Sequence, residues 1–303
     1  MSYETLSCVG ASSCLRFSPL SYVGASSCLR FFRLRKIASR SLLHRKRRTA
    51  FDILLFNEVD LTLSGRRALI TGAGQGIGRA CAEVCASRGA DLVLIDKNAV
   101  TLEEVRTAIS KTGRNVTALH MDLVDFDKVR SGLQDIGSVD ILVNNAGFDH
   151  PGTMEKVTTV DVESVLRIHV MVPFLLIQRF LPSMKSSGWG RVINIGSIWG
   201  LIGAKGEIAY STAKSGVIGL TKSVAKEAAP YGVTVNAVLP GLIRTPTIER
   251  LLAEKFKQMI IKETPLGRWA EPEEVARVVA FLASEDSSFI TSAAIPVSGG
   301  WGI

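Results

Sequence analysis

The sequence predicts a doubly wound α/β domain with a seven-stranded, mostly parallel sheet and helices on both faces. Two observations predict it. From about residue 61 onward, short apolar runs alternate with longer stretches of helical periodicity, the pattern of a parallel sheet covered on both faces. The first of these runs also leads directly into a glycine-rich turn and a helix. Such a turn is typical of a Rossmann-type domain.

The predicted strands are short, apolar and rich in β-branched residues, as expected of strands buried on both faces. They are 68–71, 91–95, 116–119, 139–143, 191–195, 233–238 and 294–297. Between most of them the apolar residues recur with helical spacing. The predicted helices are 76–88, 99–111, 161–187, 211–230 and 272–283. We therefore expect one catalytic domain over 61–303, preceded by a linker over 51–60.

Residues 1–50 carry an unusual charge. They hold ten Lys and Arg against one acid, a net +9, whereas the whole chain is +8 and the remainder is therefore −1. The nine residues 9–17 recur at 23–31. A leader rich in Arg and Ser is typical of an organellar transit peptide, which would direct the protein to the mitochondrial matrix or another organelle. A disordered basic tail and a wrongly predicted gene start are alternatives, and without a transit peptide we expect a cytoplasmic protein.

Composition argues against several other classes. The basic segment has no aromatic interleaving on a folded platform, so we expect no nucleic-acid partner. No apolar run is long enough to span a bilayer. Cys81 and Cys85 lie one helical turn apart with no further Cys or His nearby in sequence. They are interpreted as buried small apolar residues, and no metal site is expected.

The glycine-rich turn is the segment Thr71-Gly-Ala-Gly-Gln-Gly-Ile-Gly78. Glycines let the backbone turn tightly and approach a pyrophosphate, and the helix that follows offers unpaired N–H groups and a positive dipole end. Its spacing departs from the G-x-G-x-x-G pattern, but a strand precedes it and a helix follows, as a dinucleotide site requires. The predicted phosphate-binding residues are Gly72, Gln75, Gly76, Ile77 and Gly78.

Asp96 ends the second predicted strand. A carboxylate at this position accepts hydrogen bonds from the adenosine ribose hydroxyls and repels a 2′-phosphate, so it favours NAD over NADP. Lys97 follows directly, which leaves NADP possible. The expected cofactor is NAD.

Tyr210 and Lys214 are four residues apart, on one face of a predicted helix. A cation beside a phenol stabilises the phenolate and should lower the pKa of Tyr210 toward working pH, as general acid–base catalysis requires. Ser197 lies just beyond the strand 191–195, where doubly wound folds place ligand contacts. These three residues are the predicted catalytic group.

Five ordered motifs resemble the short-chain dehydrogenase/reductase family over about residues 60–303. They are Thr71-Gly-Ala-Gly-Gln-Gly-Ile-Gly78, Asn144-Asn-Ala-Gly147, Ser197, Tyr210-x-x-x-Lys214 and Pro240-Gly-Leu-Ile-Arg-Thr245. The resemblance implies that Tyr210 and Lys214 also contact the cofactor. It adds a set of further cofactor contacts, namely Asp122, Leu123, Asn144, Ala146, Gly147, Pro240, Gly241, Ile243 and Thr245.

The resemblance also assigns roles within that set. Asp122 would meet the adenine, Asn144 would steady the fourth strand beside the cofactor, and Ile243 and Thr245 would hold the nicotinamide carboxamide. Family members are usually homotetramers or homodimers, so we expect one of these assemblies. One position departs from the family pattern: His169 stands where the family has a catalytic Asn. That Asn acts through its backbone carbonyl, which His169 also has, and the imidazole could add a titrating group or simply pack in the helix.

We therefore expect an NAD(H)-dependent oxidoreductase that interconverts a secondary alcohol and a ketone. The alternatives are an NADPH-dependent 3-oxoacyl-thioester (acyl-carrier-protein) reductase and a non-catalytic relative that binds nucleotide or nucleic acid. The predicted substrate contacts are Ser197, Trp199, Tyr210 and Asp149, with His150, Leu201 and the segment 247–262 nearby. Basic residues in that segment could favour an anionic substrate or could simply be a solvated helix face.

The motif positions generate the first prediction. A chain that starts near Asn57 should fold, bind cofactor and turn over like the full chain, because every motif lies beyond residue 60. Circular dichroism, NADH binding and turnover should be compared between the two chains. An insoluble or inactive short chain would place the domain boundary elsewhere.

Overall fold

A computed structural model describes residues 62–303. The basic segment 1–50 and the linker 51–60 lie outside the described residues, so the interpretations of both remain predictions. Within the described part, no helix is both long and apolar enough to cross a membrane.

The described residues form one seven-stranded sheet in the order β3-β2-β1-β4-β5-β6-β7. All six neighbouring pairs are parallel, so the expected seven strands are confirmed and the sheet is wholly rather than mostly parallel. The strands are β1 (Arg67–Thr71), β2 (Asp91–Asp96), β3 (Val116–His120), β4 (Ile141–Asn144), β5 (Gly190–Ile195), β6 (Val233–Pro240) and β7 (Ala294–Val297).

Helices connect the strands. They are α1 (Gly76–Ser87), α2 (Ala99–Ser110), α3 (Phe126–Gly132), α4 (Thr159–Leu166), α5 (Val172–Ser187), α6 (Trp199–Ile202), α7 (Ile208–Ala228), α8 (Pro246–Leu251), α9 (Glu254–Glu263) and α10 (Pro272–Leu282). The predicted helix 161–187 differs in one respect, because a π-helical turn over Arg167–Met171 separates α4 from α5. The short helices α3, α6, α8 and α9 were not predicted as helices.

Each face of the sheet has its own core, because successive strand residues point to opposite sides. In β1, Ala68 and Ile70 pack with α1, α2 and α10 on one face, and Leu69 packs with α3, α5 and α7 on the other. Cys81 and Cys85 are free thiols buried in the first core. Their interpretation as buried small residues is confirmed.

The strand order reverses between β1 and β4, which are neighbours although β2 and β3 lie between them in sequence. Loops after β1 and β4 therefore leave the sheet side by side, and the crevice between such loops is where doubly wound folds bind ligands. The glycine-rich turn follows β1 and the motif Asn144-Asn-Ala-Gly147 begins at the end of β4. The fold thus brings together two motifs that are more than sixty residues apart in sequence.

Candidate active site

The turn after β1 lies directly against the loop after β4. Gly72 has a left-handed backbone (φ +64°), and a Cβ there would come within 2.9 Å of the Ala146 Cα atom. A Cβ on Gly78 would overlap the carbonyl of Gly72. Both positions require glycine, since the backbone segments approach too closely for any side chain.

Asn145 holds this contact together. Its side-chain amide donates to the carbonyl oxygens of Thr71 (2.9 Å) and Gly72 (3.1 Å). In return, the Thr71 hydroxyl oxygen accepts from the backbone N–H groups of Asn145 and Ala146, both at 3.0 Å. Thr71 and Asn145 were missed as site residues, although both stand inside the motifs. Their polar side chains beside buried strand ends were the available signal.

The N-terminus of α1 is open toward the crevice side of the sheet. Gln75 is its N-cap residue and makes no side-chain hydrogen bond to the first turn. The first backbone N–H groups of a helix need an acceptor from outside the helix, and a pyrophosphate would supply one. The Gln75 amide lies 3.4 Å from the Thr247 hydroxyl. The close glycine cradle and this open helix end fit a dinucleotide.

Asp96, at the end of β2, hydrogen bonds to the same glycine-rich turn. Its Oδ2 accepts from the Gly74 N–H at 2.8 Å and its Oδ1 accepts from the Asn98 N–H at 2.9 Å. A Cβ on Gly74 would meet Asp96 Oδ2 at 3.0 Å. The carboxylate therefore supports the glycine turn as well as occupying the predicted ribose position.

The other predicted cofactor residues lie at strand ends, in loops and at the start of α1. Asn144 donates to the Asn194 side-chain oxygen at 2.8 Å, which ties β4 to β5. Asp122 accepts from the Val124 N–H at 3.2 Å and Leu123 is buried. Ile77 is half-buried at the start of α1. Gly147 lies over the ring of His169, where a side chain would not fit.

The loop after β6 closes the other end of the crevice. Pro240 ends β6, and Gly241 packs against Ser298 so closely that a Cβ would lie 2.9 Å from the Ser298 Cα. Ile243 is buried and pairs with Ala270. Thr245 caps α8 by accepting from the Ile248 N–H at 3.3 Å, and its methyl carbon would lie 3.2 Å from a Cβ on Gly76.

The predicted catalytic side chains come together. Ser197 follows β5, and its hydroxyl accepts from the Trp199 N–H at 3.2 Å and hydrogen bonds with Tyr210. Lys214, one turn after Tyr210 on α7, is buried, and its Nζ donates to the Ile195 carbonyl at 2.8 Å. The same Nζ lies 5.3 Å from the centre of the Tyr210 ring.

The expected lowering of the Tyr210 pKa is not found in the folded chain. The pKa of Tyr210 is raised above its usual value, because burial and the negative charges of Asp149 and Glu207 outweigh the lowering effect of the Ser197 hydrogen bond. Burial also lowers the pKa of Lys214 to about 7, despite the opposing charge of Asp149. The ammonium is therefore only partly charged near neutral pH, and Tyr210 is protonated.

His169 lies in the π-helical turn, a rare local structure that is frequent at functional sites. Its Nε2 is 2.8 Å from the Phe148 carbonyl oxygen, and its ring packs edge-on against Tyr210 at 5.2 Å between centroids. Burial and the charge of Lys214 lower the pKa of His169 to about 3. The imidazole is consequently neutral at working pH, and Nε2 donates its proton to the carbonyl.

Two carboxyl groups adjoin Tyr210. The charges of Asp149, a predicted substrate contact, and of Glu207, which was missed, both raise the pKa of Tyr210. Among the described residues, the buried atoms Asp149 Oδ1 and Glu207 Oε2 have no hydrogen-bond partner. Glu207 is the N-cap residue of α7, three residues before Tyr210, so helical spacing was the available signal. Trp199 packs edge-on against Tyr210, with 6.1 Å between ring centroids.

The remaining predicted pocket residues lie in different environments, some buried and some exposed. His150 is directed toward Asp161, 3.3 Å away at the start of α4, and Leu201 is exposed. Lys257 is buried and donates to the Glu249 carbonyl at 3.1 Å. The other basic residues of 247–262, namely Arg250, Lys255 and Lys262, are exposed. This distribution favours the solvated helix face over an anion site.

Comparisons with known proteins converge on one family. A sequence profile described as Enoyl-(Acyl carrier protein) reductase matches residues 72–302. A 3-oxoacyl-[acyl-carrier-protein] reductase from Aquifex aeolicus is 40% identical over 80% of this chain and 99% of its own length. Other relatives of the same name, from Thermotoga maritima and Escherichia coli, are 34% and 37% identical.

Solved structures agree with the sequence relatives. A putative 2-deoxy-d-gluconate 3-dehydrogenase from Agrobacterium tumefaciens with bound NADP has a TM-score of 0.75 and 35% identity, covering 80% of this chain and 99% of that one. A 3-oxoacyl-[acyl-carrier protein] reductase from Brucella melitensis with bound NAD has a TM-score of 0.75 and 29% identity, covering 80% and 93%. The seven-stranded α/β fold is shared with these structures.

The cluster around Tyr210 generates a second prediction. Tyr210→Phe removes only the hydroxyl, so turnover should fall by about two to four orders of magnitude, the range for losing a general acid–base. Affinity for NADH should change little, because the ring and Lys214 remain. Tyr231→Phe is the matched control, since Tyr231 is exposed. Near-normal turnover in Tyr210→Phe would overturn the assignment.

The state of His169 generates a third prediction. Because the pKa of His169 is lowered to about 3, its imidazole is neutral throughout the usual assay range, and His169→Asn should leave the acidic limb of the kcat/KM profile where it is. The rate should stay within about tenfold, since the backbone carbonyl at this position is retained. The profile should be recorded from pH 5 to 9 for both proteins. A displaced acidic limb would mean that the imidazole titrates during turnover.

Proposed function

Because this chain belongs to the short-chain dehydrogenase/reductase family, we propose that it interconverts a ketone and a secondary alcohol with NAD(H). It is an oxidoreductase of CH–OH and keto groups that uses a pyridine nucleotide. The observation that carries the proposal is the contact of Ser197, Tyr210 and Lys214 at the sheet edge that bears the glycine turn. Proton donor and cofactor cradle thus share one crevice.

The proposed role of each side chain follows from its protonation state and its contacts. When bound, the reduced nicotinamide supplies the hydride. Tyr210 is protonated and gives its proton to the substrate oxygen, which suits ketone reduction. Ser197 donates a hydrogen bond to that oxygen as negative charge develops. Lys214 would bind the nicotinamide ribose, and contact with the ribose would keep its ammonium oriented beside the phenol.

Asp96 supports NAD as the cofactor. Its carboxylate would accept from the ribose hydroxyls and repel a 2′-phosphate. The solved relatives named above carry NADP in one case and NAD in the other, so the family as such does not decide between them. The charge at the end of β2 is the reason for preferring NAD.

A 3-oxoacyl thioester is the second candidate substrate, and the relatives favour it over a simple ketone. Several relatives at 34–40% identity are named 3-oxoacyl-[acyl-carrier-protein] reductases and are covered almost completely. A Brucella melitensis structure of that name has NAD bound, so a carboxylate at position 96 that favours NAD is compatible with this second candidate.

One assay tests both cofactor and substrate. Purified full chain should reduce ketones with a higher kcat/KM for NADH than for NADPH, and acetoacetyl-coenzyme A should be included as the thioester. Asp96→Asn removes the charge and should narrow the NADH preference by about tenfold or more. Asp127→Asn, an exposed carboxylate on α3, is the control. Preference of the unmodified protein for NADPH would contradict the proposal and support the thioester reductase.

A further inference from the structure

Two tryptophans stand beside the catalytic tyrosine at the carboxyl edge of the sheet. Trp199 begins α6 after β5, and Trp301 follows β7. The Trp199 ring meets the Tyr210 ring nearly at right angles, with 6.1 Å between centroids, and it meets the Trp301 ring with 6.2 Å between centroids. The three rings therefore form a continuous row that begins at the catalytic tyrosine. We call Trp199 and Trp301 the aromatic wall.

The first ring of the aromatic wall is tied to the catalytic group. The Trp199 backbone N–H donates to Ser197 Oγ at 3.2 Å. The next residue, Gly200, packs so closely on α7 that a Cβ there would lie 2.8 Å from the Lys214 carbonyl oxygen. Trp199 thus keeps its place relative to all three catalytic side chains. A substrate whose oxygen meets Ser197 and Tyr210 consequently reacts beside the Trp199 ring.

The second ring is also held by the protein itself. Trp301 Nε1 donates to Glu263 Oε2, at the end of α9, at 3.3 Å. Gly302 has a left-handed backbone (φ +73°), and a Cβ there would lie 2.9 Å from side-chain atoms of Ile198 and Ile202. The segment that carries Trp301 is therefore packed against α6, which carries Trp199. Because protein contacts alone fix the two rings, binding against them costs little ordering of side chains.

The aromatic wall presents hydrocarbon more than polar groups. An indole has one N–H donor and no acceptor, and the N–H of Trp301 is already directed to Glu263. Both indoles are half-buried, and Leu201 and Ile202 on the same short helix are exposed. Aromatic and aliphatic surface next to a few convergent polar groups is typical of a small-molecule site. Such a surface is stabilised when another apolar group covers it.

We propose that Trp199 and Trp301 form a specificity site for a large apolar substituent, so that the preferred substrates are ketones that carry such a group a short chain away from the carbonyl. This inference rests on the proposed function. Continuity with Tyr210 favours substrate over a second copy of the chain as the occupant, since a group held at the tyrosine lies next to Trp199. A polar substituent would lose its water there without gaining a partner.

The size of the substituent follows from the row of rings. Trp301 lies one ring farther from Tyr210 than Trp199 does. A short chain between the carbonyl and the apolar group lets that group reach both indoles. An aromatic ring suits the site best, because it can stack on an indole or meet it edge to face and gains more than its buried area alone provides.

The reaction balances without a further reagent. The ketone carbon gains a hydride as NADH is oxidised to NAD, the carbonyl π bond breaks, and the oxygen takes the proton of Tyr210. Solvent returns one proton to Tyr210, so one ketone, one NADH and one proton give one secondary alcohol and one NAD. The apolar substituent keeps its own bonds throughout and only orients the substrate.

The test compares matched ketones on the full chain with NADH. 4-Phenyl-2-butanone and 2-butanone have the same reacting carbonyl and differ by a phenyl group, whereas 4-hydroxy-2-butanone carries a polar group in its place. The kcat/KM should favour 4-phenyl-2-butanone over both by about tenfold or more, mainly through a lower KM. Even one methylene in a matched apolar pocket is worth about tenfold.

Variants locate the effect. Trp301→Ala and Trp199→Ala should each lower the ratio of kcat/KM for 4-phenyl-2-butanone to that for 2-butanone by about tenfold. The ratio is taken within each protein, so a smaller folded fraction does not change it. Trp301→Phe keeps an aromatic ring and should retain most of the ratio. Phe289→Ala is the control, because Phe289 is fully exposed and precedes β7, at the opposite edge of the sheet.

Binding gives a readout that does not depend on turnover. In isothermal titration calorimetry with NADH present, 4-phenyl-2-butanol should bind about tenfold more tightly than 2-butanol. Trp301→Ala should remove this difference, and Phe289→Ala should leave it unchanged.

Each outcome separates this inference from the proposed function. Equal efficiency for the two ketones would overturn the specificity site and leave ketone reduction standing. A ratio that survives Trp301→Ala would also overturn it, and altered sedimentation of that variant would then identify a second copy as the occupant. If acetoacetyl-coenzyme A is a better substrate than 4-phenyl-2-butanone, the specificity site is wrong and the second candidate function is right. If no ketone is reduced with either nucleotide, the proposed function fails, and calorimetry alone decides on the site.

Discussion

The loop after β4 is the constraint on which the rest of this site depends. Asn145 fixes it to the glycine turn, Gly147 lies over His169, and the Phe148 carbonyl accepts from the His169 ring. At its end, Gly152 pairs with Glu207, the residue at which the helix that carries Tyr210 begins. The glycine-rich turn, His169 and the start of the Tyr210 helix are therefore all positioned by one short stretch of backbone. Its position is set in turn by the pairing of β4 with β1 and β5.

Electrostatics in this crevice are governed by burial more than by pair charges. The prediction that a neighbouring lysine lowers the tyrosine pKa weighed only the charge of Lys214. In the folded chain Lys214 is itself desolvated, which weakens the ammonium as a source of stabilisation for a phenolate. The negative charges of Asp149 and Glu207 also disfavour a phenolate. The net effect is that the pKa of Tyr210 is raised, so its hydroxyl keeps its proton at neutral pH.

The fold was predictable because its signals are local. Strand runs, helical periodicity and the turn after β1 all follow from residues adjacent in sequence, and they yielded the strand count and the motifs correctly. The missed features are relations between distant segments. Asn145 matters because β1 lies beside β4, and Glu207 because a loop sixty residues earlier in the chain reaches it. The π-helical turn was missed because Arg167–Met171 has an ordinary helical composition.

The two hydrogen bonds of Asp96 have an evolutionary consequence. This carboxylate, proposed to bind the ribose, accepts from the Gly74 N–H, and Thr101 Oγ1 lies 2.5 Å from where a Cβ on Gly74 would stand. A lineage that acquired a cationic side chain at position 96 would lose the support of its phosphate turn, and it could not regain that support through a larger residue at 74 while Thr101 remained. A change of cofactor preference at position 96 would therefore also remove a hydrogen bond that supports the glycine-rich turn.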